Sequence, residues 1–143
     1  MTTQDSSQYS DAVALAGRVL LSAIFLLSVM GKLAAPAGTI GYIAAAGLPL
    51  PQLAYALAVL IELGGGLALL AGYQTRIAAA ALALFSVAAA FGFHANFGDQ
   101  NQMVHFLKNL AIAGGLLQLV AFGSGRWSVD ARLLGRQAVA RYS

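Results

Sequence analysis

The sequence predicts an all-α membrane protein, a bundle of four transmembrane helices with a short interfacial helix between the first and the second. Three observations point there. Hydrophobic residues fill 59% of the 143 positions and charged residues only 9%, against about 25% charged in an ordinary soluble domain. The mean hydropathy of +0.77 is more than so short a chain can hide from water in a core. Finally, four windows are long and apolar enough to cross a bilayer, which takes about 20 residues in helical form. Helix is the required state, because hydrocarbon offers no hydrogen-bond partner to an open backbone.

Taken in order, the chain opens on a polar leader over 1–11, "MTTQDSSQYSD", without a positive charge. The first span follows at 12–34. The "APA" after it resembles a signal-peptide cleavage site, but a leader without positive charge and a long apolar stretch are wrong for such a peptide, so the segment is expected to be a retained helix. The connection "APAGTIGYIAAAGLPLPQ" holds the short helix, "TIGYIAAA". Gly47 ends it, Pro49 and Pro51 reset the chain, and Tyr42 sits at headgroup level. The second span runs over 52–72. "GYQTR" makes a tight hairpin into the third, 77–95, and the polar loop "NFGDQNQ" leads to the fourth, 104–123. A basic tail over 124–143 carries the one tryptophan. All of this reads as a single domain.

With four spans, both termini and the hairpin share one side. That side carries Arg76, Arg126, Arg132, Arg136 and Arg141, and the opposite side only Lys32. The positive-inside rule then places both termini in the cytoplasm. The net charge of +3 is thus an orientation signal and not a nucleic-acid surface; the expected partner is the lipid bilayer. The chain has no cysteine, which excludes disulfides, thiolate metal sites and CxxC redox chemistry. Small residues supply the packing: Ala79, Ala83, Ser86 and Ala90 form a stripe on the third span, and the second has Gly64 to Gly66 with Ala68 and Gly72 four apart.

Few ionisable residues lie within the spans, and each costs about 2.5–3.5 kcal/mol at the centre of one. They should face each other or a wet cavity. Glu62, in "LAVLIELGGGLALL", is the deepest. Arg18 on the first span is the preferred partner, since a guanidinium stays charged and forks onto a carboxylate; Lys108 on the fourth is the other choice. His105, Lys108 and Asn109 share one helix face by their spacing of three and four, and His94 closes the third span across the loop. These four make a candidate ligand pocket beside Glu62, with Phe91, Phe93, Phe97 and Phe106 as walls. Three readings stand for this group: a structural ion pair with interfacial histidines, a pocket for quinone or another small molecule, and a bis-histidine haem or metal site. One histidine near each helix end is little support for the last, and no metal is expected.

The order and spacing of six segments resemble the DoxX family of small bacterial membrane proteins. They are "GRVLLSAIFLLSVMGKL", "YIAAAGLPLP", "ELGGGLALLAGYQTR", "FHANF", "KNLAIAGGLL" and "GRWSVD". The resemblance implies a four-helix protein of the bacterial inner membrane. Relatives have been linked to thiosulfate:quinone oxidoreductase, to terminal quinol oxidase, and to membrane complexes handling oxidative and thiol stress. It therefore implies a subunit that binds quinone or a lipid-like small molecule beside a partner membrane oxidoreductase, alone or as a homo-oligomer. The rival is a non-catalytic structural or assembly subunit, or a small transporter. Whether the chain is itself an enzyme stays open, but without cysteine it runs no thiol relay of its own.

Overall fold

The computed structural model describes residues 3–140. Arg141 lies outside the described residues, as does the side chain of Arg136. Six helices follow one another: α1 (Thr3–Ala34), α2 (Pro36–Ala45), α3 (Pro51–Ala71), α4 (Thr75–Phe93), α5 (Gln100–Phe122) and α6 (Val129–Ala140). Four stretches are long and apolar enough to span a membrane: Gln8–Ala34, Pro51–Ala71, Thr75–Phe93 and Gln100–Phe122. They are the four expected spans. The short helix between the first two is α2.

Local chemistry sets the boundaries. Pro36 and Pro51 stand in the first turn of α2 and α3, where a missing N–H is harmless and the fixed φ suits a helix. Gly72 ends α3 with φ +68. The N–H of Gly72 donates to the Leu69 carbonyl at 3.1 Å and that of Tyr73 to the Ala68 carbonyl at 2.9 Å, a Schellman closure. Asp99 starts α5 by accepting from the N–H groups of Asn101 and Gln102, the normal work of an N-cap. Two segments expected as tails are also helical. The polar leader continues the first span back to Thr3, and α6 occupies much of the basic tail.

The long helices pack in the order α1, α3, α4, α5, while α1 meets α5 only sparsely; α2 lies chiefly on α3. The core is Phe25 of α1, Leu69 of α3, Ala79, Leu82 and Ala83 of α4, and Ala113, Leu116 and Leu119 of α5. The expected stripe of Ala79, Ala83, Ser86 and Ala90 is buried throughout. Close approach explains two glycines of α3, one turned to α4 and one to α1. A Cβ on Gly65 would come within 2.8 Å of the Leu82 side chain, and one on Gly66 within 2.9 Å of Leu26. Outward-facing leucines such as Leu20, Leu27, Leu60 and Leu84 are each 73% exposed. Small residues inside and large apolar ones outside suit a bundle dissolved in lipid.

Candidate functional site

The antiparallel register of α1 and α3 decides which charges meet. At one end Arg18 lies against Gly72, whose missing side chain leaves room for the guanidinium. Ten residues back along α3 is Glu62, and ten residues forward along α1 is Ser28, a rise of about 15 Å on each helix. The Ser28 hydroxyl donates to Glu62 Oε1 at 2.9 Å. One turn on, Lys32 reaches back toward the same carboxylate. Its Nζ donates to Ser28 Oγ at 2.7 Å and to Glu62 Oε1 at 3.0 Å, and lies 2.8 Å from Oε2.

This corrects the expected pairing. Glu62 is bound by Lys32, not by Arg18 or Lys108. Arg18 is a whole register step away and donates from Nη2 to the backbone carbonyl of Trp127 at 2.6 Å. Lys108 is exposed on α5, a helix that packs on α4, so it faces away from the carboxylate. Spacing within one helix could not reveal this, because which helices are neighbours is a tertiary choice.

The pair borders a cavity of about 850 Å³ between α1, α2, α3, α4 and α5, where α1 and α5 stand apart. The lining is mostly apolar, with Ile24, Ile43, Leu57, Ile61 and Phe85 among its walls. Its polar points are Ser28, Lys32, Thr39, Glu62, Ser86, His94 and Asn109. The two members of the pair are not equally placed: the Glu62 side chain is 3% exposed and that of Lys32 22%. The carboxylate stands behind and the ammonium in front. Tyr42 of α2 stacks on Phe93 of α4, rings 5.4 Å apart, at the margin that α2 covers.

Of the four expected pocket residues, His94 and Asn109 line the cavity and His105 and Lys108 do not. His105 is nevertheless close, its ring stacked on that of His94 at 5.0 Å. His94 Nδ1 is 2.8 Å from Gln102 Oε1, and Asn109 donates to the His105 carbonyl at 3.0 Å. The His94 ring is thus anchored by side chains of α5, Gln102 and His105. Among the expected phenylalanine walls only Phe93 borders the cavity; Phe91 and Phe97 meet Phe106 edge-on at 5.1 Å and 5.0 Å instead. Sequence reasoning missed Ser28 and Lys32 as site residues. The available signal was their spacing of four on a helix, with both positions near the level of Glu62 once α1 and α3 are set antiparallel.

The opposite end of the bundle is tied shut by the chain after α5. Asp130 accepts from the N–H of Gln74 at 2.7 Å and of Thr75 at 2.9 Å, so a residue of α6 caps α4. Its own N–H donates to the Gly72 carbonyl at 2.9 Å. Burial pushes the Asp130 carboxyl up, but the Thr75 and Gln74 N–H groups and the Arg18 charge outweigh it and hold the group below the ordinary carboxylate range. Asp11 of α1 accepts from the Arg126 N–H at 3.0 Å and fastens the same segment to the start of α1.

Comparison with known proteins agrees with this architecture. The family model of DoxX matches residues 13–95, which include Arg18, Ser28, Lys32, Glu62 and His94. The chain is 41% identical over 127 residues to the inner membrane protein YqjF of Escherichia coli, covering 89% of this chain and 95% of that one. It is 31% identical over 124 residues to the E. coli inner membrane protein YphA, covering 82% and 88%. No solved structure matches. With the family model over more than half its length, two relatives aligned nearly end to end and four membrane-spanning helices, the chain belongs to the DoxX family of integral inner-membrane proteins.

Proposed function

We propose that this protein binds a quinone or a similar lipid-like, carbonyl-bearing molecule in the cavity beside Lys32 and Glu62, next to a membrane oxidoreductase that uses it. The observation that carries this is the placement of an ion pair, ammonium in front and carboxylate behind, on the wall of an otherwise apolar cavity of about 850 Å³. A cavity of that size and lining is typical of small-molecule sites, in which a few polar groups orient an apolar ligand. The ammonium donates to a carbonyl oxygen, and Glu62 supplies its counter-charge. Because the pair is already neutral, a neutral head completes the site. A carboxylate head would leave one negative charge uncompensated in a low-dielectric wall. His94 and Asn109, on the other side, are the second polar pole.

Both termini lie in the cytoplasm in this reading, by the arginine excess at their end. Cysteines placed at Gly98 and Gln137 should then label from opposite sides, with Gln137 inside. For the ligand, protein purified from quinone-rich membranes is extracted with solvent and the extract assayed for quinone. Stoichiometric quinone in the parent, lost in the Lys32→Gln, Glu62→Gln double variant, supports the site. An empty parent protein would overturn it and leave the structural or assembly role, or a transport role that needs a homo-oligomer.

A further inference from the structure

We infer that the opposite end of the bundle carries a separate site for the phosphate of an anionic phospholipid. A second cavity, about 350 Å³, lies between the end of α3 and the start of α6, lined by Ala71, Arg126, Trp127, Ser128, Val129 and Arg132. Two of its six lining residues are arginines. Arg132 is exposed and open to a ligand from outside, and Arg126, whose Nε lies 3.6 Å from Asp11 Oδ2, adds a second, 75% exposed guanidinium to the lining. The guanidinium fork matches two phosphate oxygens at once.

Charge and depth choose the occupant. Around this cavity and the segment that forms it, Arg18, Arg76, Arg126 and Arg132 outnumber Asp11 and Asp130. Both carboxylates are engaged, Asp11 with Arg126 and its N–H and Asp130 with the start of α4. Arg18 lies under the floor. It is 1% exposed, its Nε and Nη1 have no hydrogen-bond partner among the described residues, and a Cβ on Gly72 would strike both its Nη1 and Ser128. Its Nη2 donates to the carbonyl of Trp127, a residue of the lining, so its positive charge lies directly behind the cavity wall. Tyr9, Tyr73 and Trp127 are exposed at this end, as aromatic rings are at the headgroup level of a bilayer. Leu133 and Leu134 of α6 are also exposed, offering an apolar surface to acyl chains beside the basic one. A phosphate held at headgroup depth, flanked by apolar side chains, belongs to a lipid and not to the aqueous anion pool.

The test uses Trp127, the only tryptophan in the chain. The full-length protein is placed in phosphatidylcholine nanodiscs, and brominated phosphatidylglycerol or brominated phosphatidylcholine is added in steps. Bromine quenches the indole only at contact range. The anionic lipid should reach half-quenching at a mole fraction about fivefold lower per arginine engaged. Arg132→Gln should lose about that factor, Arg132→Lys less of it, and high salt should narrow the gap between the lipids. Arg132 is exposed, so these variants leave the fold intact. Equal quenching by the two lipids would overturn the inference. So would an unchanged preference in Arg132→Gln, and so would relief of the quenching by inorganic phosphate, which would mark a small-anion site. None of these results bears on the cavity at Lys32.

Discussion

Helix α1 carries one buried or half-buried cation toward each end of the bundle, Arg18 and Lys32, and the two ends treat them differently. At the Arg18 end one arm of the guanidinium donates to a backbone carbonyl, and the returning chain from Gly123 to Asp130 closes over it. At the Lys32 end the ammonium is held by side chains alone, Ser28 and Glu62, with open volume in front. The rigid fork of arginine suits a permanent fastening to fixed oxygens. A lysine on a flexible stem, with three rotatable donors, suits a wall whose occupant comes and goes. The comparison teaches that charge inside a span does not by itself mark a ligand site. What surrounds the charge does.

The sharpest way to break the comparison is at the closed end. Gly72 needs φ +68, and a Cβ there runs into Arg18 and Ser128. Gly72→Ala should therefore cost about 3 kcal/mol or more, about 1–3 of it from the backbone alone, read as a large fall in thermal stability in detergent. Full stability in this variant would mean that the closure over Arg18 is loose.

The next effect belongs to the open end. Glu62→Gln leaves the Lys32 ammonium without its counter-charge. Breaking a fully buried pair costs about 3–5 kcal/mol, and because Lys32 is partly exposed about 1–3 kcal/mol is expected after screening. The double variant Lys32→Gln, Glu62→Gln should recover most of the loss. Strictly additive losses would show that the two groups do not act as a pair. A Glu62→Gln protein as stable as the parent but unable to hold ligand would show that the pair exists for binding alone.

Acid should separate the ends by a smaller amount. Asp130 has a folded value below its ordinary one, so its stabilisation is full above the ordinary carboxyl range and drains away as pH falls through the lower folded value. Melting curves should show that acid loss in the parent and less of it in Asp130→Asn, which is weaker at neutral pH. A steeper acid loss in the variant would contradict the capping role. The smallest effect is expected at the far wall of the cavity. His94→Ala removes a half-buried ring held by one side-chain contact and one stack, and stability should change by about 0.5 kcal/mol while bound ligand weakens. A failure to fold would make His94 structural and remove it from the site.

The register explains why some of this was legible in the sequence and some was not. The small-residue stripe on α4 was legible because it obeys helix periodicity, which is a local property. His94 and Asn109 were legible as members of one end because chain distance along a helix converts directly into depth. The partner of Glu62 was not. Choosing among Arg18, Lys32 and Lys108 requires knowing which helices adjoin and how they slide past each other, and the long connection through α2 hides that slide. Lys108 and His105 share a face with Asn109, yet α5 packs on α4 in such a way that only Asn109 reaches the cavity.

Composition and period alone determined that this chain has four membrane-crossing stretches, where each of those stretches begins and ends within about a turn, and that a carboxylate as deep as Glu62 needs a cation beside it. Those follow from the cost of exposing backbone and charge to hydrocarbon, a cost counted residue by residue. The tertiary structure decided which cation meets which carboxylate, that α6 caps α4 through Asp130, and that volume remains between α1 and α5. Those depend on the rotation and slide of whole helices, set by where glycine and alanine allow backbones to touch, and no single segment of sequence contains that sum.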